Sequence, residues 1–403
     1  MSTPNLTQFL RSTKDKFLAS LSAASSAQKW TVVMGNEAGD LDSLASCIAY
    51  SYIQTVFNDK PTVSMIPYPH EDMRLRAENL HALKSAGIMD SHKDLLFYPD
   101  LKTAHGKVPC RRFALVDHNR LGHQFEEEGP YEVVAVIDHH EDEGLYQDTA
   151  NPRHIAPAGS CISQGGQDAT VNTIPRELAT LLLSAILIDT SGLSAKGKAI
   201  AVDRQAAEYL LPQAALSEDL QWSSIASSGE DRVAQLSRTL SDLKGEVSHL
   251  SPRDLLRRDY KEYSFQPPWL ASSVKAGLST VPRKLQTWGS DGQLLESARR
   301  WMEERGLNVL GVLAVYTHDD GKGRRQMAWF VAEKDSSVVD MISSRLWKGL
   351  EEDEFLQAQP HEFDRIGDNI RHGDLQSKTY KQNNRKATRK AVAPLLKAIM
   401  ESN

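Results

Sequence analysis

Acids and imidazoles recur in this chain at the ends of apolar runs. Val133-Val134-Ala135-Val136-Ile137 empties into Asp138-His139-His140-Glu141-Asp142, and Phe113-Ala114-Leu115-Val116 into Asp117-His118-Asn119. The run Leu181–Ile188 ends in Asp189, and Trp30–Gly35 leads into Asn36-Glu37-Ala38-Gly39-Asp40-Leu41-Asp42-Ser43. Carboxylate oxygens are the ligands that hard cations such as Mg²⁺ and Mn²⁺ prefer, and imidazole nitrogen suits Mn²⁺ or Co²⁺. Asp40 and Asp42 stand two apart, so in an extended loop both carboxylates point to one side. Helix capping accounts for one acid at a helix start, and Ser43 can also cap; neither explains two acids in a glycine-containing loop. An acid followed by two histidines also suits a solvated turn. Four such run ends in one chain argue instead for one metal-binding site.

The elements that must position these residues follow from the same runs. Unalternated, largely β-branched stretches read as parallel strands covered on both faces, and open α/β sheets place ligands beyond the carboxyl ends of such strands. Thr62–Ile66 is a further strand of this kind, while Leu181–Ile188 reads as an apolar helix. Arg74 and Arg76 follow in a loop entering a helix; a solvated helix face explains them better than phosphate binding. Gly159-Ser160-Cys161-Ile162-Ser163 is a turn into a helix whose backbone N–H groups are candidates to hold an oxyanion. Cys161 has no recognisable activating base and reads as a thiol without a catalytic role. Leu6, Phe9, Leu10, Phe17, Leu18 and Leu21 share one helical face, predicting an amphipathic helix packed on the first domain.

Length and composition set the frame. A chain of 403 residues, 40% hydrophobic and 25% charged, is globular and long enough for two or three domains. Three cysteines, Cys47, Cys110 and Cys161, at no metal-type spacing suit a reducing compartment. The longest apolar stretch is too short to cross a bilayer, and the first twenty residues mix Arg11, Lys14, Asp15 and Lys16 with apolar positions. Cytoplasmic residence without membrane association is expected, with a mitochondrial fraction as the alternative. A net charge of −6 argues against nucleic acid as a partner. Cations gather late: Lys378, Lys381, Arg385, Lys386, Arg389, Lys390 and Lys397, with no acid between Leu375 and Met400. Glu351-Glu352-Asp353-Glu354 reads as a solvated loop or helix end.

The series Gly35–Ser43, Val116-Asp117-His118-Asn119, Ile137-Asp138-His139-His140 and Ile188-Asp189-Thr190 resembles, in order and spacing, the motifs of the DHH phosphoesterase superfamily. Within it the chain is most similar to the fungal exopolyphosphatases, relatives of family II inorganic pyrophosphatases and of prune-like phosphodiesterases. Asp259-Tyr260-Lys261-Glu262-Tyr263, Ala276–Val281 and Thr388-Arg389-Lys390-Ala391-Val392-Ala393-Pro394 are similar to segments of the C-terminal DHHA2 domain. The resemblance implies an α/β protein: a parallel-sheet DHH domain over 1–212, a linking helical region over 213–249, and a smaller mixed α/β DHHA2 domain over 250–403, with the active site in the cleft between domains. Val309–Tyr316 and Gln326–Ala332 read as strands of that second domain, joined by a hairpin loop.

Carried over by position, the resemblance implies two divalent cations, Mg²⁺ or Mn²⁺ with Co²⁺ as an alternative. Asp40 and Asp117, with Asn36 beside the ion or contributing through its side-chain oxygen, would hold one; Asp42, Asp117, His139 and Asp189 would hold the other. Asp117 would bridge them, and a water between two cations becomes a nucleophile near neutral pH. Asp138 would orient the cluster from behind, His140 would touch substrate phosphate, and His118 reads as a packed or supporting residue. Lys261, Arg389 and Lys390 would grip the terminal phosphate. The implied activity is release of orthophosphate from the end of linear inorganic polyphosphate, by a monomer. The surplus of late cations favours a long substrate. A pyrophosphatase is the alternative, although those relatives generally carry histidine where Asn36 stands. A prune-like phosphodiesterase is another, against which the intact Asp138-His139-His140 speaks. A phosphate-binding scaffold would have no need of two metals.

Overall fold

The structure is a computed structural model that divides into two units, Met1–Glu246 and Val247–Asn403. It describes residues 5–21, 29–105, 110–126, 129–165, 174–194, 198–214, 229–318 and 320–402.

In the first unit, β1 (Thr31–Met34), β2 (Thr62–Ile66), β3 (Leu96–Phe97), β4 (Arg112–Val116), β5 (Glu132–Asp138) and β6 (Arg153–Ile155) form one sheet in the order β3-β2-β1-β4-β5-β6. Every pairing is parallel. The unalternated apolar runs put hydrophobic side chains on both faces. Val32, Met34, Phe113 and Leu115 enter one core with Phe17 and Phe125, while Val33, Ala114, Val116 and Ala135 meet Cys47 on the other face. The helix Leu6–Ser20 buries Leu6, Phe9, Leu10 and Phe17, the face its spacing predicts. The helix Arg176–Asp189 is buried along almost its whole length and packs with the helices Leu41–Tyr52 and Ala77–Ser85. Of the region read as a link, residues 215–228 lie outside the described residues; the helix Gly229–Gly245 that follows packs within the first unit through Leu236 and Leu240.

All six strands point the same way, so the residues after β1, β4 and β5 emerge along one edge of the sheet. The strand order reverses between β1 and β4, which leaves a crevice at that point because the connections depart to opposite sides.

The second unit is a mixed sheet of seven strands: β7 (Tyr260–Phe265), β8 (Val274–Val281), β9 (Val309–Thr317), β10 (Gly323–Ala332), β11 (Ala358–Pro360), β12 (Ile370–His372) and β13 (Leu375–Gln382). Their order is β11-β13-β10-β9-β8-β7, with β12 on β13. β8 and β9 run parallel and the other neighbours antiparallel. The β9–β10 hairpin is the one read from sequence; Asp319 of its loop lies outside the described residues. Met327, Trp329, Val331 and Tyr380 pack under the helices Ser336–Glu352 and Arg389–Glu401. One cation of the late basic run is consumed here: Lys378 is buried between Glu351 (2.7 Å) and Asp368 (3.0 Å). Glu351, at the exposed end of the helix Ser336–Glu352 as the acidic run suggested, also pairs with Lys378. Among the described residues no helix is long and apolar enough to cross a membrane.

Candidate metal centre

The turn after β1 is shaped by two close approaches. A Cβ on Gly35 would lie 2.7 Å from that of Ser43, and one on Gly39, at φ +60°, would lie 2.1 Å from Cε1 of Tyr68. Between them Asn36 folds the chain, its Oδ1 accepting from the N–H groups of Ala38 (2.9 Å) and Gly39 (3.2 Å). Asp40 caps the helix Leu41–Tyr52 by accepting from Ser43 N (3.1 Å). Capping thus falls to Asp40 rather than Ser43, whose hydroxyl donates to Asp117 Oδ2 (2.6 Å). From beneath, buried Arg76 donates to the carbonyl of Ala38 (2.5 Å) and buried Asn79 to that of Gly39 (2.9 Å). Arg74 is exposed, but Arg76 is a strut of the loop and not a residue of a solvated face.

Asp117 ends β4 with φ +61°, a left-handed conformation that costs a non-glycine residue ~1 kcal/mol and that aspartate tolerates better than most. Its N–H donates to Ile137 O (2.9 Å), and its Oδ2 accepts from Asn36 Nδ2 (2.7 Å) as well as Ser43. Its other oxygen faces the imidazoles, 3.3 Å from His139 Nε2 and 3.6 Å from His140 Nδ1. Asp138, fully buried, organises the turn that carries both histidines. Its Oδ1 accepts from the N–H groups of His139 (2.7 Å) and His140 (3.1 Å) and lies 2.8 Å from His140 Nδ1. Asn119 Nδ2 donates to its Oδ2 (2.5 Å). Burial opposes its ionisation, yet the hydrogen bonds, that of His140 foremost, hold its pKa well below the usual carboxylate range. His118 Nδ1 lies 2.9 Å from Val116 O.

Asp42 is buried against a different partner set: Ser160 Oγ (2.7 Å), Cys161 N (2.7 Å) and Ile162 N (3.4 Å). Gly159 and Ser160 give their N–H groups to Asp203, and Ser163 gives its own to Ser160 O. The turn expected to hold an oxyanion therefore spends its donors on Asp42 and Asp203. Cys161 Sγ lies on Ile137 O (3.2 Å), and burial raises the thiol pKa far above its ordinary value, so it stays protonated and inert. Burial, and next the charge of Asp40, pushes Asp42 up to about 7. Asp189, last residue of its helix, is likewise raised to about 7 by burial and by Asp42 and Asp40, against the pull of Lys244 (3.6 Å) and His139.

The residues present fit a divalent cation. One oxygen or nitrogen from each of Asp117, His139 and His140 lies within 4.8 Å of the others. The charge of Asp40 raises the pKa of Asp42, and those of Asp42 and Asp40 raise that of Asp189, a crowding of like charges that a cation relieves. Asn36 joins the Asp117, His139 and His140 cluster through Asp117 (2.7 Å) and Asp138 joins it through His140 (2.8 Å), whereas Asp40, Asp42 and Asp189 act on one another, and Asp189 on His139, through charge. Lys261, Arg389 and Lys390 belong to the second unit, where Arg389 Nη1 sits on Asp259 Oδ1 (2.7 Å) and O (3.1 Å). Sequence reading missed Asn119, Asn79 and Lys244 as supports. Asn119 carried a signal, a small amide two positions after the acid of a strand end; the other two carried none.

A parallel sheet with an acid–imidazole cluster at its carboxyl edge in the first unit, and a mixed α/β sheet in the second, each match a known domain over their own part of the chain. Residues 30–186 match the DHH family, N-terminal domain, and residues 238–399 the DHHA2 domain. It is 28% identical over 401 residues to the Schizosaccharomyces pombe protein named "Putative exopolyphosphatase", covering 94% of this chain and 93% of that one. It is 26% identical over 308 residues to "Exopolyphosphatase PRUNE1" of Rattus norvegicus, covering 74% of this chain and 62% of that one. A "Probable manganese-dependent inorganic pyrophosphatase" of Streptococcus mutans is 28% identical over 163 residues, 40% of this chain and 47% of that one. The fold is that of the "Methanococcus jannaschii putative family II inorganic pyrophosphatase", at TM-score 0.57 and 18% identity over 92% of this chain and 99% of that structure.

Proposed function

We propose that the protein is an exopolyphosphatase that hydrolyses the terminal phosphoanhydride of linear inorganic polyphosphate. The observation that carries this reading is the meeting of Asp117, His139 and His140 at the carboxyl ends of β4 and β5, with buried Asp42 and half-buried Asp189 raised toward neutrality. The alignment with the S. pombe protein over nearly the whole of both chains supports the choice of substrate.

In this reading Asp40, Asp42, Asp117, His139 and Asp189 hold two divalent cations, Mg²⁺ or Mn²⁺. Bound cations supply an acidified water and neutralise charge that develops on the transferred phosphoryl group. Asn36 and Ser43 fix the rotamer of Asp117 through its Oδ2, leaving Oδ1 toward the imidazoles. Asp138 holds His140 by Nδ1, which leaves Nε2 to face substrate phosphate. Arg389, Lys390 and Lys261 grip the terminal phosphate, Arg389 with a guanidinium already oriented by Asp259. The water oxygen bonds to the terminal phosphorus, the bridging P–O bond breaks, and orthophosphate leaves a chain one unit shorter. The test is phosphate release with Mg²⁺ or Mn²⁺ from polyphosphate, pyrophosphate and a cyclic nucleotide. Turnover of polyphosphate in preference to the other two is expected. Preference for pyrophosphate or for the cyclic nucleotide assigns a different phosphoesterase, and turnover of none overturns the enzyme.

A further inference from the structure

The second sheet gathers cations at one end of one face. Arg325 lies near the start of β10, in register with Val315 of β9 and Gln382 of β13. Met327, Trp329 and Val331 of the same strand enter the core under the helix Arg389–Glu401, so Arg325, in phase with them, stands on that face. Lys261 is on it too, because it pairs with Leu278 of the same core. Gln382 donates to the carbonyls of Asn384 (2.7 Å) and Ala387 (2.6 Å), and Arg325 Nε donates to that of Arg385 (2.9 Å). Both strands thus hold the loop that delivers Arg389 and Lys390.

Arg325 differs from its neighbours in its charge balance. Arg324 has Asp320, Arg389 has Asp259, and Lys378 has Glu351 and Asp368. Among the described residues no carboxylate pairs with Arg325, although its side chain is half-buried. Its pKa is lowered from the ordinary arginine value by burial, with no acid opposing. A guanidinium partly withdrawn from water without a counter-anion is costly unless a ligand supplies one, and its planar fork suits phosphate oxygens.

We propose that Arg325 binds an inner phosphate of a phosphoanhydride chain whose terminal phosphate is held by Arg389 and Lys390, and so sets preference for chain length. This rests on the exopolyphosphatase reading and names a specificity residue within it. The experiment compares wild type, Arg325→Ala and Arg325→Gln on long-chain polyphosphate, tripolyphosphate and pyrophosphate, the last as substrate or competitive inhibitor. Glutamine keeps a donor for the Arg385 carbonyl and guards against loss of the loop. Both variants are expected to lower kcat/KM on the long chain about tenfold or more, chiefly through KM, with pyrophosphate unchanged. Equal losses on every substrate, or none on any, overturn the proposal while leaving the activity in place. If wild type releases no phosphate from any chain, the functional reading fails instead. Calorimetric titration of tripolyphosphate into the metal-free protein then decides Arg325 alone, a tenfold weaker affinity in Arg325→Gln supporting it and an unchanged one refuting it.

Discussion

The amide nitrogen of Asn36 stands 2.7 Å from Oδ2 of Asp117, while the oxygen of the same amide accepts two backbone N–H groups of its own turn. Donors on one side and an acceptor on the other fix the orientation of the amide, since a flip would set oxygen against carboxylate. Asn36 so couples the turn after β1 to the acid after β4.

Asn36→His tests that coupling. The amide oxygen of Asn36 is spent on its own turn, whereas an imidazole in its place would add a nitrogen that suits Mn²⁺. The variant is expected to bind Mn²⁺ more tightly in titrations of metal-free protein and to raise the rate on pyrophosphate relative to polyphosphate. Unchanged Mn²⁺ affinity would confine Asn36 to shaping the turn and steering Asp117.

Asp117→Asn should abolish turnover while the fold persists. Asparagine tolerates the left-handed backbone at φ +61° and keeps an oxygen for the Ser43 hydroxyl. It loses the charge that would serve both cations. A fall in kcat of about 10³-fold or more is expected, in the range of removing one electrostatic contact at a reacting centre, with a melting temperature within a few degrees of wild type. Near-normal activity at saturating metal would sink the site.

Metal affinity should rise with pH. Asp42 and Asp189, each raised to about 7, are largely protonated at pH 6 and must ionise to bind a cation. Each should cost about tenfold in affinity per pH unit below 7, with proton release visible by calorimetry in buffers of different ionisation enthalpy. The sign for the metal-free fold is the reverse. An acid with a raised folded pKa contributes stability that is intact below the unfolded value and is lost as pH rises through 7. The metal-free melting temperature should fall from about pH 4 to about 7 and level off above that, and saturating metal should remove that slope. A pH-independent affinity would show that these acids do not bind the metal.

Gly39→Ala should destabilise the protein by about 2 kcal/mol or more, combining left-handed backbone strain with overpacking. Its Cβ would enter the Tyr68 ring, and the carbonyl held by Asn79 would be displaced. Asn79→Leu, which leaves that carbonyl without its buried donor, should cost about 1–3 kcal/mol and weaken metal binding. Urea melts and metal titrations of both read the outcome; stability lost with metal affinity intact would limit Asn79 to the fold.

Arg389→Ala and Lys390→Ala should each lower kcat/KM about 10²-fold, as expected for one charge-stabilising contact in phosphoryl transfer, without changing metal affinity. Asp259→Asn, which only loosens the guanidinium of Arg389, should cost less. If the double variant gains nothing but altered salt sensitivity, this end of the helix is merely a solvated face.

The sequence alone determined where chemistry meets structure: four apolar elements that end in acids, the strands among them unalternated and therefore parallel and doubly covered. Hydrophobic periodicity is local, so β1, β2, β4, β5 and the apolar helix ending at Asp189 were legible within a residue or two, apart from the helix's earlier start. Tertiary structure decided which donor each acid receives. Asp42 meets Ser160 118 positions away, Asn36 meets Asp117 across 81, and Arg76 turns inward to Ala38 across 38. It also withdrew Lys378 from the basic run by burying it beside Glu351. Hydrogen bonds and ion pairs of this range depend on which surfaces the sheet order brings face to face, and residue spacing along the chain carries no record of that.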